Sequence, residues 1–326
     1  MRGMKMIPGW RSRNYLARVG VFLTIAALIV GMAGCDGYTP PSENLEIRTW
    51  YDLDAVRDNL DGSHTLMNDL DGTTAGYAEL ASSTANEGKG WQPIGFPTPH
   101  GPTAYVGLSG TFNGQGYEIH DLYINRPEED RIGLFGETDG AVIRDMSVVN
   151  VTVIGREAVG GLVGTSGCND NVSNCYSTGN ITGEDVVGGL VGANWGTVSN
   201  SYSSCNITGI SRVGGLVGVN GPDQIVSNSY STGSVTGVIG VGSLVGFNVV
   251  YKWNSIVSNS FWDIETSGHA TSDGGTGKNT TEMKNITTFS GVGWNIIAVA
   301  NTTMRDPSYI WNIVDDVTYP FLSWQS

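Results

Sequence analysis

The chain has 326 residues, enough for one large domain or two ordinary ones, and 40% of them are hydrophobic, enough to build a core. Only 15% are charged, with a formal net charge of −14. So acidic a chain excludes nucleic acid as a partner, because that binding rests on cationic groups that release counterions. The 47 glycines, with plentiful Ser, Thr and Asn, point to turn-rich β architecture rather than helices.

Arg2, Lys5, Arg11, Arg13 and Arg18 precede an apolar run from Val19 to Ala33, and every acidic residue follows it. A basic region followed by an apolar stretch shorter than the roughly 20 residues of a membrane span reads as a secretory signal over 1–34. The run ends in Gly31-Met32-Ala33-Gly34-Cys35, which resembles the bacterial lipobox, with Met32 where Leu is usual. The resemblance implies lipidation at Cys35 and contact with a membrane through that lipid. An uncleaved signal anchor is the alternative, and both readings place the body outside the cytoplasm. Residues 35–44 are polar and contain Pro40 and Pro41, as in a short extended tether.

From Thr49 to Leu60 the apolar Leu53, Val56 and Leu60 share one helical face, and Thr49 with Asp52 forms a capping-box pattern. A short helix is expected there, plugging the N-terminal end of a cap and divergent coils over 45–128, with an insertion near 96–103.

Over 129–268 the chain repeats. Val159-Gly-Gly-Leu-Val-Gly164, Val187-Gly-Gly-Leu-Val-Gly192, Val213-Gly-Gly-Leu-Val-Gly218 and Val241-Gly-Ser-Leu-Val-Gly246 follow a degenerate Ile132-Gly-Leu-Phe-Gly136. In phase run Val172-Ser-Asn-Cys-Tyr-Ser, Val198-Ser-Asn-Ser-Tyr-Ser, Val226-Ser-Asn-Ser-Tyr-Ser and Val257-Ser-Asn-Ser-Phe-Trp, and Ile181, Ile207 and Val235 each open a third short piece. Pieces of three to six β-branched residues between Gly and Asn are strands, and one such unit cannot bury its apolar side without stacking on the next. The expected fold is all-β, a right-handed parallel β-helix with three sides per turn. Leu134, Leu162, Leu190, Leu216 and Leu244 then form an interior column. Tyr176, Tyr202, Tyr230 and Phe261 form another, facing in or out. Asn174, Asn200, Asn228 and Asn259 read as a hydrogen-bonded amide ladder, and the repeated glycines as positive-φ turns.

The G-G-L-V-G and V-S-N-x-Y-S pattern at this spacing resembles the GLUG motif of bacterial and archaeal surface proteins and of the non-catalytic part of immunoglobulin A proteases. The resemblance implies a β-solenoid and an adhesive or displayed role, with no defined activity.

Over 269–326, Trp294, Trp311, Tyr319, Phe321 and Trp324 suggest an aromatic-rich C-terminal cap over the open core, or an exposed carbohydrate platform. Gly274-Gly-Thr-Gly-Lys278 lacks the first Gly and the final Ser or Thr of a phosphate loop and reads as an exposed turn. Asn68-Asp-Leu-Asp-Gly72 lacks the ligand set of a calcium loop. The four histidines stand in no metal spacing, so no catalytic, cofactor or metal residue is expected. Cys168 and Cys175 flank one turn and could form a disulfide, with Cys205 left over. Arg156, Glu157, Glu184, Asp185 and Arg212 fall just before the G-G-L-V-G copies and should line one ridge, the candidate interaction surface for a glycan or an extracellular protein. A lipid-anchored, non-catalytic surface module is the expected function, and a carbohydrate-active β-helix enzyme the alternative.

Overall fold

A computed structural model describes residues 44–95, 107–250 and 255–325. Cys35, the signal, most of the tether and the insertion over 96–103 lie outside them.

The described residues form a parallel β-solenoid of about five full turns, with three sheets along its sides. The long sheet stacks from Leu45–Ile47 through Ser63–Leu66, Thr111–Asn113, Val142–Ile154 and Asn171–Thr182, then through shorter strands to Thr276–Lys278. The second, here the ridge sheet, stacks Glu157–Val159, Asp185–Gly188, Ser211–Gly214 and Ile239–Gly242. The third, the groove sheet, stacks Phe135–Glu137, Val163–Thr165, Val191–Asn194, Val217–Asn220 and Val245–Asn248. Like positions stand in register: Val187 pairs Val159 and Val213, Val191 pairs Val163 and Val217, and Tyr202 pairs Tyr176 and Tyr230.

The five leucines are all fully buried and run up the interior with Val172, Val198 and Val226 from the long sheet. The G-G-L-V-G copies are not strands. Each is a corner, in which Val187 and Gly188 end a ridge strand, Gly189 and Leu190 turn, and Val191 opens a groove strand. The glycines serve close approach here rather than positive φ. A Cβ on Gly188 would strike the Val191 carbonyl, and one on Gly189 would strike Ser203 Oγ and the Gly215 carbonyl of the next coil.

Positive φ belongs instead to the asparagines. Asn174, Asn200, Asn228 and Asn259 have φ of 53°, 48°, 48° and 49° and bend the long sheet. Asn174 Nδ2 donates to Asp145 Oδ1 at 2.8 Å, and Oδ1 of Asn174 and of Asn228 accepts no bond among the described residues, so the ladder expected of them does not form. Asn is favoured there because its short polar side chain tolerates the left-handed region. The amide ladder lies one face away, just after the corner motif. Ser166 Oγ donates to Asn194 Oδ1 (3.0 Å), Asn194 Nδ2 to Asn220 Oδ1 (2.8 Å) and Asn220 Nδ2 to Asn248 Oδ1 (2.9 Å), all buried. Asn220→Ala leaves Asn248 Oδ1 without its donor and takes the shortest acceptor from Asn194 Nδ2, and burying an unsatisfied polar group costs about 1–3 kcal/mol. Chemical denaturation should show a loss of that size; a loss near zero would deny the ladder its role.

At the N-terminal end Thr49 caps a helix over Trp50–Asp54, with the reciprocal Asp52 bond, followed by a 3-10 turn over Ala55–Asp58. Trp50, Leu53 and Val56 are buried, and Trp50 meets Trp91 edge-on at 5.7 Å.

The C-terminal region packs its aromatic residues against the side of the last coils. Residues 271–273 cover the last core leucine, with Ser243 and Leu244 donating to Thr271 O and Ser272 Oγ. Thr276–Lys278, read as an exposed turn, is a strand paired with Phe261–Asp263. A small sheet of Ile296–Ala298, Trp311–Ile313 and Phe321–Leu322 lies along the flank of the long sheet as a strap. Beneath it the tyrosine column faces outward: Tyr176, Tyr202 and Tyr230 stack at 4.7 and 4.8 Å with rings within 6° of parallel. Trp294 and Trp311 bury themselves against this stack, which also sets aside the exposed carbohydrate platform.

Cys168 and Cys175 are not bonded. Cys168 sits in an exposed turn, whereas Cys175 points into the core at the position held in later coils by Ser201, Ser229 and Ser260. An interior side chain cannot reach a partner on the surface. Burial pushes the Cys175 thiol up to about 12 and the Cys205 thiol up to about 11. The thiolate is the nucleophile, so iodoacetamide should modify Cys168 in the native protein and the other two only after unfolding. Mass spectrometry reads this directly, and equal rates at all three would contradict the placement.

Candidate functional site

The charged ridge comes from the turn leading into each ridge strand. Arg156 reaches back one coil to Asp130 through two bonds of 2.7 Å (Nε to Oδ1, Nη2 to Oδ2). Arg212 does the same to Asp185, with Nε at 2.8 Å from Oδ1 and Nη2 bonded to Oδ2. Arg131 lies 3.5 Å from Glu137. The Arg156 and Arg212 guanidinium groups hold their charges, whereas burial raises the Glu137 carboxyl beside Arg131. Hydrogen bonding to the carboxylate raises the guanidinium pKa of Arg156 and of Arg212 above its ordinary value. Burial raises the Asp185 carboxyl, yet the bonds and charge of Arg212 outweigh it and leave the pKa lowered. Glu157 pairs in register with Asp185 and is exposed; Glu184 is exposed at the outer edge of the turn. The structure thus brings Arg156, Glu157, Asp185 and Arg212 to one ridge, with Glu184 at its margin.

Beside the ridge, between the ridge and groove sheets, runs a cavity of about 370 Å³, lined in part by Glu157, Arg212 and Asp130. Its floor is apolar, formed by Ala158 and Val186 from ridge strands and Ala193 and Val219 from groove strands. Ala158, Val186 and Arg212 have φ of 56°, 54° and 52°, and Gly240 follows at 60°. This left-handed row makes each ridge strand skip one residue in its pairing, Asp185 and Val187 facing Ser211 and Val213, and so exposes the Val186 position to the groove instead of the interior. A β-branched residue in this region is strained.

The far wall carries Trp195, 38% exposed. Its ring rests on Gly221 of the next coil, where a Cβ would come within 2.6 Å of Cε3, and its backbone N–H donates to Ser166 Oγ. The indole N–H has no partner among the described residues. Sequence reasoning found the ridge but missed this floor and Trp195. The available signal was the in-phase residue after each G-G-L-V-G, namely Thr165, Ala193, Val219 and Phe247.

Among the described residues, no group of three or more His, Cys, Asp or Glu is arranged to hold a metal ion. None of their helices is long and apolar enough to cross a membrane.

Coils of 26 to 28 residues, glycine corners and an interior leucine column define a parallel β-solenoid of stacked sequence repeats. The GLUG motif model matches residues 155–182, one full coil that includes the corner, and the neighbouring coils repeat its pattern. The chain is 35% identical over 48% of its length to halomucin of Haloquadratum walsbyi, and 36% identical over 39% to a "Putative Gly-rich membrane protein" of Evansella cellulosilytica. It spans only 2% and 14% of those proteins. The solved structure of a "putative immunoglobulin A1 protease" from Bacteroides ovatus shares the fold at TM-score 0.59 and 17% identity, covering 86% of this chain and 92% of that one.

Proposed function

We propose that the chain is an exported, lipid-anchored surface module that binds a partner through the ridge and groove and does not turn it over. The observation that carries this reading is the groove itself, where an apolar floor and an exposed Trp lie beside arginines already committed to carboxylates. Turnover needs an acid, base or nucleophile free to change its charge in the reaction, whereas complementarity needs only a fixed surface. The names of the relatives, halomucin and a membrane protein, agree with a place at the cell surface. The anchor rests on Cys35 and the run before it.

Cells displaying the full chain should bind one class of target on an array of glycans and extracellular proteins, and Trp195→Ala should reduce that binding. Cys35→Ser should lose labelled fatty acid. Release of reducing sugar that disappears with Asp185→Asn and Arg212→Ala would replace the binding reading with that of a carbohydrate-active enzyme.

A further inference from the structure

We infer that the groove takes a neutral, linear polysaccharide strand lying parallel to the solenoid axis, with about one sugar ring per coil. This rests on the groove being the binding surface and adds the class of ligand.

Charge is the first argument. Arg156, Arg212 and Arg131 each face a carboxylate on the protein. An anionic ligand would have to displace a carboxylate already in place, and Glu157, the exposed carboxylate of the lining, already faces the charges of Arg156 and Arg212, while hydroxyl groups can bond to the outer lone pairs of these carboxylates without breaking a pair.

Period is the second argument. The lining is contributed by four successive coils, through Asp130, Ala158, Val186 and Arg212 on one side, with Thr165, Ala193 and Val219 opposite. Their step is the interstrand spacing of about 4.8 Å. A hexopyranose ring in a linear chain is about as long as that step, so successive rings meet equivalent surroundings. An extended peptide advances about 3.3 Å per residue and returns a side chain to the same face every second residue, which runs out of phase with the coils.

Trp195 is the third. Its ring is held against Gly221, the residue stays 38% exposed in the lining of the groove, and its N–H has no partner among the described residues. An apolar plate with one polar donor is what the C–H face and rim hydroxyls of a sugar ring require. The cavity is also of the size of a small-ligand site.

The test is calorimetry on the purified full chain with neutral linear glucan and mannan oligomers from dimer to hexamer. Affinity should rise with each ring and level off near the tetramer, the length that four coils accommodate, and raising salt should change it little. Trp195→Ala should weaken binding by about tenfold, the scale of one stacked ring. Thr165→Arg, at a half-buried outward position, should block the groove, and circular dichroism confirms that both variants fold. Binding that does not grow with length, or that survives both substitutions, overturns the proposal. If a protein target binds and is lost in both variants while no neutral glycan binds, the groove reading stands and the ligand class falls.

Discussion

Replacing Gly189 by Val should destabilise the protein by about 3 kcal/mol or more, at the upper end of what overpacking costs. The added side chain meets the Gly215 carbonyl of the next coil and the Ser203 hydroxyl of the adjoining strand. The carbonyl is backbone held in the stack and cannot rotate aside. Leu190, the next residue, is fully buried in the leucine column, so a shifted corner also opens the core. At a few degrees per kcal/mol for a protein of this size, the thermal midpoint should fall by roughly 6 °C or more. Gly72→Ala is the control, because its added methyl would meet only the Tyr77 ring at 3.6 Å; it should change stability by less than about 0.5 kcal/mol. Equal midpoints for wild type and Gly189→Val would remove the reason given for the repeated glycines.

That corner shows what could be read from the sequence and what could not. A leucine recurring every 26 to 28 residues between glycines fixes the period of the coil and one interior column, because side chains at like positions must stack. Period does not say which way a position faces. Asn174 and Asn194 both recur in phase, yet one bends the backbone at φ 53° and the other bonds along the stack. The difference lies in a local dihedral that no spacing encodes. The ridge was legible because charged residues are conspicuous in a repeat with few of them. The groove beside it was not, since Ala158, Val186, Ala193 and Val219 look like core residues until the left-handed row turns them outward. The strap was least legible. Its partner, the tyrosine column, lies about 30 to 150 residues earlier in the chain, and aromatic density alone does not choose between an end and a flank.

The strap is also where the second large effect is expected. Trp311 is fully buried, with ring contacts to Tyr202 at 6.1 Å, Tyr230 at 5.8 Å and Trp294 at 4.9 Å. Trp311→Ala should therefore cost about 3–5 kcal/mol, felt first as loosening of the strap, since the coils beneath keep their own hydrogen bonds. Hydrogen exchange should speed up over 294–325 while the leucine column stays protected; uniform acceleration would mean that strap and solenoid unfold as one unit. The hydroxyls make the same contact sensitive to alkali. Tyr202 donates to Gln325 Oε1 at 3.0 Å, Tyr230 to the Pro320 carbonyl at 2.5 Å and Tyr319 to Asp263 Oδ2 at 2.6 Å. Burial raises the pKa of all three, Tyr319 up to about 12 with its bond to Asp263 adding to the shift. A group whose folded pKa is raised contributes stability that is complete below its unfolded value, near 10, and is lost as pH climbs through the folded one. Strap stability should therefore be level up to about pH 10 and fall steadily above it. Tyrosine absorbance near 295 nm should show these phenols ionising only together with release of the strap, and ionisation at the ordinary pKa with the strap still docked would contradict their burial.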